Sequence, residues 1–301
     1  MAPGISIRTD IPQSIPLEAF LKFFLNPCRY WLSQRLETSF PFQVRSLEDI
    51  EPIESNGLLD YHRGDTMLKH PEILTGENEY LLNDFLPVGA LRESTLRKLT
   101  PDAQSILTQW SAIPAENPST CQVNLQFKDL LLQGRIRGVS DEAYKKMRFG
   151  KLRSADILSA WLEHLVVCQK TKNPDFRTHL IGREESVSFK KPADPGPELM
   201  KLHELFIKGQ ESALPFFLDT AYLFSKATVS PSPGARKSPS EIAYTAFTKI
   251  EDYPFPQRGE AYDTDIQLCF PDPDIVLTKD FANTALTVFG EALQHMEGGS
   301  V

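Results

Sequence analysis

Apolar residues recur along this chain with two different periods, and the changes of period divide it into three stretches. Near the start, Leu17, Phe20, Leu21, Phe24 and Leu25 fall on one stripe of a helix. Asn26-Pro27 then supplies an N-cap and a proline at the first helical position, so a second helix opens there with Cys28, Trp31, Leu32 and Leu36 on one face. Residues 40–80 read as irregular and acidic, with turn signals at Ser55-Asn56-Gly57 and Arg63-Gly64-Asp65. The helical period returns over residues 91–110, where Thr100-Pro101 predicts a cap and a restart.

The period then drops to two. Cys121, Val123, Leu125 and Phe127 alternate with Gln122, Asn124, Gln126 and Lys128, the pattern of a half-buried strand. Leu130 to Val139 predicts a second strand and Tyr144 to Lys151 a third. Ser154 is expected to cap the next helix, with Asp156 in the first turn, where the helix dipole favours an anion. Ile157, Leu158, Trp161, Leu162, Leu165 and Val166 form its apolar face. Thr178 to Gly182 and Val187 to Phe189 predict a hairpin around Glu184-Glu185-Ser186. Helices resume at Pro197, with Leu199, Leu202, Leu205 and Phe206 inward. Residues 228–237 read as a mobile loop, and Ser238-Pro239-Ser240-Glu241 is a capping box. A last helix is expected from Phe281 to Met296, and residues 297–301 are expected to fray.

With 301 residues, 41% of them hydrophobic, the chain can bury roughly three quarters of its unfolded surface in one or two cores. A formal net charge of −8 argues against a stand-alone polyanion binder, because phosphate neutralisation supplies most non-specific nucleic-acid affinity. A local basic strip is still compatible with it. Arg135, Arg137, Lys145, Lys146, Arg148, Lys151 and Arg153 lie between Gly134 and Arg153, against Asp141 and Glu142 alone. Arg135 and Arg137 fall on the same face of an alternating strand. The strip reads either as a solvated, salt-bridged face or as a contact to DNA phosphates or an acidic partner surface.

Other candidate chemistry is weaker. Cys28, Cys121, Cys168 and Cys269 are far apart with no CxxC, so they read as reduced thiols in a cytoplasmic protein rather than as ligands of a zinc ribbon. Met1-Ala2-Pro3-Gly4 has no apolar signal core, and no apolar run is long enough to span a membrane. Asp141 and Glu142 read as a turn between strands. Asp263, Asp265, Asp272 and Asp274 form a DxD…DxD pattern, but Pro271 and Pro273 interleave with them, as in ordinary turns. His164 lies beside Glu163, off the apolar stripe, and is expected at the surface or facing a partner. There is no GxSxG and no P-loop, so ATP hydrolysis is not expected in this chain.

Five short pieces follow one another along the chain. They are Phe20 to Trp31, Leu86-Pro87-Val88-Gly89-Ala90-Leu91, Trp161-Leu162-Glu163-His164-Leu165, Gly209 to Phe216, and Gly259-Glu260-Ala261-Tyr262-Asp263. Together they resemble the C-terminal domain of RecC, the gamma subunit of exodeoxyribonuclease V. The resemblance implies an α/β fold with a PD-(D/E)xK nuclease-like core: helix, three strands, helix, strand, with large flanking helical additions. On this reading residues 1–301 form one composite domain, with a core over about 119–190, helical flanks over 14–118 and 191–296, and a tail at 297–301.

The same resemblance implies a missing metal centre. A nuclease of this group needs two carboxylates and a lysine around Mg²⁺. RecB-type members read roughly GRIDRID in one block and carry a DYK triplet in the next. This chain has Gly134-Arg135-Ile136-Arg137, with Arg137 where the first acid is expected, and Arg148-Phe149-Gly150-Lys151 around the second. Leu96 stands where active members carry a histidine, and Arg92 where a glycine is usual. The expectation is therefore a catalytically inactive scaffold without its own cofactor, in a complex whose ATP and Mg²⁺ belong to RecB-like and RecD-like subunits that act on DNA. The alternative is an active Mg²⁺-dependent DNA nuclease with rearranged acids, using Asp141 and Glu142.

Overall fold

The computed structural model describes residues 13–36, 57–75, 86–87, 89–128, 130–251, 257–272 and 275–300. Strand β1 (Ser14–Pro16) leads into helices α1 (Leu17–Leu25) and α2 (Pro27–Leu36). The break between the helices is the one the sequence predicts. Asn26 Oδ1 accepts a hydrogen bond from the Arg29 amide at 2.9 Å, and Pro27 has no N–H to leave unpaired. Helix α1 buries Leu17, Phe20, Phe23 and Phe24, and Phe23 packs edge-on against Phe206 with ring centroids 5.0 Å apart.

Helices α3 (Gly57–Lys69), α4 (Glu72–Thr75) and α5 (Ala90–Ala112) follow, so the described part of the stretch expected to be irregular is largely helical, while Ser55 and Asn56 of its first turn signal lie outside the described residues; two further expectations fail in these helices. Arg63-Gly64-Asp65 is the middle of α3, not a turn. Gly64 is required for close approach, since a Cβ there would lie 2.1 Å from the Phe149 ring. Thr100-Pro101 does not restart a helix either, because α5 runs through Pro101. Its buried stripe of Thr95, Leu99, Ala103 and Ile106 continues across the proline, and that burial outweighs the lost backbone bond.

The sheet begins with β2 (Ser119–Phe127) and β3 (Leu130–Val139), antiparallel from Phe127↔Leu130 onward. Then come β4 (Ala143–Met147), helix α6 (Ser154–Cys168), β5 (Arg177–Ile181) and β6 (Glu185–Lys190). Strand β4 is shorter than the sequence suggests. It stops at Met147, after which the Arg148 amide bonds Ile181 O at 2.9 Å and Phe149 turns into a separate core. Ser154 is the first residue of α6 rather than its cap. Arg153 holds the cap position, and its N–H donates to Asp156 Oδ2 at 2.9 Å.

The rest of the chain adds helices α7 (Gly196–Glu211), α8 (Leu218–Val229) and α9 (Pro239–Phe247). A small ribbon, β7 (Ile250–Glu251) with β8 (Gln257–Arg258), is followed by α10 (Thr264–Cys269), α11 (Lys279–His295) and strand β9 (Met296–Ser300). The capping box forms as expected, with Glu241 Oε2 accepting from the Ser238 amide at 2.7 Å. The expected frayed tail does not. Residues 296–300 pair with β6 from Phe189↔Met296 to Glu185↔Ser300, and Glu297 accepts from Arg177 at 2.6 Å and pairs with Lys190. Gly298, at φ 120°, lets this strand pass where a Cβ would meet Ser186 O.

These strands make one mixed sheet of seven in the order β1-β3-β4-β5-β6-β9, with β2 on the other edge of β3. Strands β4 and β5 are parallel, joined through α6. Gly134 lets α1 cross β3, since a Cβ there would lie 2.7 Å from Leu17 Cβ. The main core lies between the sheet and helices α1, α6, α7, α8 and α11, with Trp161 and a set of phenylalanines inside it. A smaller core forms where α3, α4 and α5 bury Met67, Leu68, Ile73, Leu99 and Ile106 against Phe149 and Ile181.

Candidate functional site

Alternation along β4 decides what the basic strip touches. Tyr144 and Lys146 point toward α6, and Lys145 and Met147 toward α5. On the α6 side, Glu163 Oε2 accepts from the Tyr144 hydroxyl at 2.9 Å and from Lys146 Nζ at 2.6 Å. Two turns earlier on the helix, Asp156 Oδ1 accepts from Arg148 Nη1 at 2.9 Å. The Arg148 guanidinium also lies 4.9 Å from the Tyr61 ring of α3. On the other side, Lys145 Nζ donates to the Trp110 and Ile113 carbonyls at 3.0 and 3.1 Å and sits 4.6 Å from the Trp110 ring centre. Those carbonyls belong to the end of α5, where the helix dipole favours a cation. Burial lowers the Lys145 ammonium below the ordinary lysine range, and burial with the Glu163 carboxylate alongside raises the Tyr144 hydroxyl. Lys151 pairs with Glu184 at 2.8 Å, and that contact holds the Glu184 carboxyl below the usual range.

Lys145, Lys146, Arg148 and Lys151 thus have partners within the chain. They tie β4 to α6, α3, α5 and the β5–β6 turn. Arg153 is exposed beside the start of α6. Arg135 and Arg137 project from β3 into solvent and have no ion-pair partner among the described residues. Their cross-strand neighbours on β2 are Gln122 and Thr120, and next along come Asn124 and Gln133, all exposed. Lys170, just past α6, donates to the Gln122 carbonyl of β2. The result is an open, polar sheet face with clustered positive charge and no carboxylate on either strand.

The other candidates have local explanations. His164 is a correction: it is fully buried, not at the surface. Its Nε2 lies 3.1 Å from Lys190 O and its Nδ1 2.8 Å from Thr178 Oγ1. A carbonyl can only accept, so Nε2 carries the proton and Nδ1 accepts from Thr178. Burial lowers its pKa to about 4. Asp141 and Glu142 are exposed in the β3–β4 turn, where Ser140 Oγ accepts from the Glu142 and Ala143 amides. Asp263 and Asp265 pair with Arg29 at 3.6 and 2.6 Å, and Asp263 also caps α10. Asp272 is exposed, and Asp274 lies outside the described residues. Leu96 packs at the edge of the smaller core, and Arg92 Nε donates to the Pro87 carbonyl at 3.1 Å. Among the described residues, no three His, Cys, Asp or Glu side chains converge as a metal ion would require. No described helix is long and apolar enough to cross a membrane.

Sequence reasoning did not find the partners: Glu163, Asp156, Tyr61 and Trp110. Their separation from β4 along the chain left no local signal.

The family model of the RecC C-terminal domain matches residues 12–228. Over 176 residues the chain is 25% identical to the RecBCD enzyme subunit RecC of Escherichia coli, covering 56% of this chain and 15% of that protein. It is 23% identical over 251 residues to the subunit of the same name from Mycobacterium tuberculosis H37Rv, covering 77% of this chain and 23% of that one. For Mycolicibacterium smegmatis the figures are 22% identity over 238 residues, 72% of this chain and 21% of the relative. The chain therefore spans less than a quarter of the length of these relatives.

Proposed function

The chain belongs to the RecC C-terminal domain family, and from that premise we propose that it is a non-catalytic, nuclease-like scaffold in a RecBCD-type helicase–nuclease acting in double-strand break repair. In this reading it helps assemble RecB-like and RecD-like subunits, separate the DNA strands and guide the single strands, while ATP and Mg²⁺ are handled by the partners. The order α5, β2, β3, β4, α6, β5, with β4 parallel to β5, fits the helix, three-strand, helix, strand core of the PD-(D/E)xK group.

One observation carries the non-catalytic part: the carboxylates that α6 directs at β4 are already neutralised by that strand's end. Glu163 serves Lys146 and Tyr144, and Asp156 serves Arg148. A carboxylate in such a pair is a poor ligand for Mg²⁺, and a guanidinium at Arg137 repels the ion. Strand β4 itself reads Ala143-Tyr144-Lys145. It keeps the tyrosine and lysine of the DYK triplet and has a buried alanine in place of the acid. That tripeptide fits the triplet better than Arg148 to Lys151, which follows the strand. These residues do not fit a Mg²⁺ centre.

The DNA-facing role falls to the open face of β2 and β3. Arg135 and Arg137 would position phosphates without reading sequence, with Thr120, Gln122 and Asn124 as neutral hydrogen-bonding neighbours. The test is a complex reconstituted with RecB-like and RecD-like subunits. Arg135→Glu/Arg137→Glu should weaken DNA binding and flatten the plot of log affinity against log salt by about two units, one per phosphate contact. An unchanged slope and unchanged unwinding would reduce the domain to protein docking. Degradation of linear DNA by the purified chain, dependent on Mg²⁺ and lost in Asp141→Asn/Glu142→Gln, would establish the rival reading of an active nuclease.

A further inference from the structure

A cavity of about 330 Å³ opens where the end of α9, the single turn Glu260–Tyr262 and the end of α10 meet. Thr248, Ala261, Tyr262, Gln267, Phe270 and Pro271 line it, and none of them belongs to the basic strip or to the open face of β2 and β3. The rest of the fold holds these walls in place. Ala261 is buried, and the Phe270 ring packs edge-on against Phe217 of the main core, with centroids 5.7 Å apart. Glu260 accepts from the Asp219 and Thr220 amides at 3.2 and 2.8 Å, which ties the turn to the start of α8. Arg29 Nε, 2.6 Å from Asp265 Oδ2, ties α10 to α2. The cavity is therefore formed before anything enters it, and its size falls at the lower end of the roughly 300–1,000 Å³ of ligand pockets.

Its mouth is apolar. Tyr262 is 43% exposed, Leu268, beside Gln267 on α10, is 54% exposed, and Pro271 is exposed. Two polar groups there are unspent, since neither the Tyr262 hydroxyl nor the Gln267 side-chain amide has a hydrogen-bond partner among the described residues. The surrounding charge is of one sign. From Gly259 to Thr278 the chain carries Glu260, Asp263, Asp265, Asp272 and Asp274 and no lysine or arginine. The α8 amides and Arg29 answer the first three in part, and Asp272, next to the lining Pro271, is exposed.

An apolar cavity in an acidic surround selects its occupant. Phosphates are repelled there, so DNA does not fit. A formal net charge of −8 also sets a second copy of the chain against this corner. We propose that the corner docks a basic segment of a partner polypeptide, which seats one aromatic or branched aliphatic side chain in the cavity and brings lysine or arginine to Asp272. On the scaffold reading, on which this rests, the segment belongs to a partner subunit. The anchor side chain supplies affinity by leaving water. The Tyr262 hydroxyl and the Gln267 amide bond the backbone on either side of it. The cations set the rate of approach and the choice of partner.

The experiment reconstitutes the full chain with RecB-like and RecD-like subunits. Leu268→p-benzoylphenylalanine places a photo-cross-linker at the mouth, and peptide mapping reads what it captures. The expected product is a link to a partner-subunit segment in which lysine or arginine flanks an aromatic or branched aliphatic residue. Subunit affinity is then measured against salt for two variants of exposed residues. Gln267→Trp fills the mouth and should weaken assembly about tenfold at every salt concentration. Asp272→Lys should weaken it about threefold at low salt, and progressively less as salt screens the charge. Wild-type affinity in both variants overturns the docking site and leaves the scaffold reading standing. A link to DNA, to a second copy of the chain or to an acidic segment also overturns it. A wild-type chain that binds neither subunit removes the scaffold reading and, with it, this docking site.

Discussion

His164 offers a quantitative test, because it is an ionisable side chain sealed in the main core and held neutral there. Stacked rings lie around it, with Trp161 at 5.5 Å and Phe176 at 6.0 Å between centroids. Burial dominates its titration and lowers the pKa from the ordinary 6.5 to about 4, against the opposing pull of the Lys190 carbonyl. The sign follows from linkage. Below pH 6.5 the unfolded chain takes up a proton at this residue that the folded chain refuses, so stability falls as pH drops until the folded form also protonates near 4. Between pH 7.5 and 4.5 that difference removes roughly 2–3 kcal/mol. Equilibrium urea unfolding at the two pH values measures it, and His164→Gln is the control. Gln keeps an N–H donor for Lys190 O but cannot titrate. The variant should lose stability at pH 7.5 and then show a pH dependence shallower than wild type by roughly 2–3 kcal/mol. Parallel losses in wild type and variant would refute the argument, as would an NMR titration of His164 centred near 6.5.

Three further outcomes follow from the packing around β4. Gly64→Ala places a methyl in the Phe149 ring and should cost about 1–3 kcal/mol by thermal or urea unfolding, with loss of aromatic near-ultraviolet dichroism. A double-mutant cycle of Lys146→Met and Glu163→Gln should give a coupling of about 1–2 kcal/mol, since both side chains are mostly shielded from solvent. A coupling near zero would show that the pair is not what joins β4 to α6. Arg135→Glu/Arg137→Glu, by contrast, should leave the unfolding midpoint nearly unchanged while altering the salt dependence of DNA binding in the assembled complex, because neither side chain is buried.

How much was legible differs by element. Strand β3 and the α1–α2 break were readable because each is set by local rules, alternation in one case and an Asn-Pro cap in the other. Gly64 and Pro101 misled because both are usual punctuation marks, yet here one makes room for Phe149 and the other is carried by a continuous buried stripe. Strand β9 was illegible, since Met296-Glu297-Gly298-Gly299-Ser300 has no apolar alternation and forms only because the edge of β6 offers unpaired amides and carbonyls. His164 was assigned to the surface because a single helix stripe was assumed. Helix α6 is in fact covered nearly all round, by the sheet on one side and α8 and α11 on the other.

The sequence alone determined the order of strands and helix from β2 to α6, the RecC-like pieces and the absence of an acid at Arg137, because propensity, periodicity and residue type act over a few neighbours. Only the tertiary structure decided which of the seven basic residues remain open to a ligand. Charge is a property of a residue, but whether a charge is spent depends on what stands across from it. For Lys146 and Arg148 that is a carboxylate on α6, for Lys145 the end of α5, and for Arg135 and Arg137 it is water.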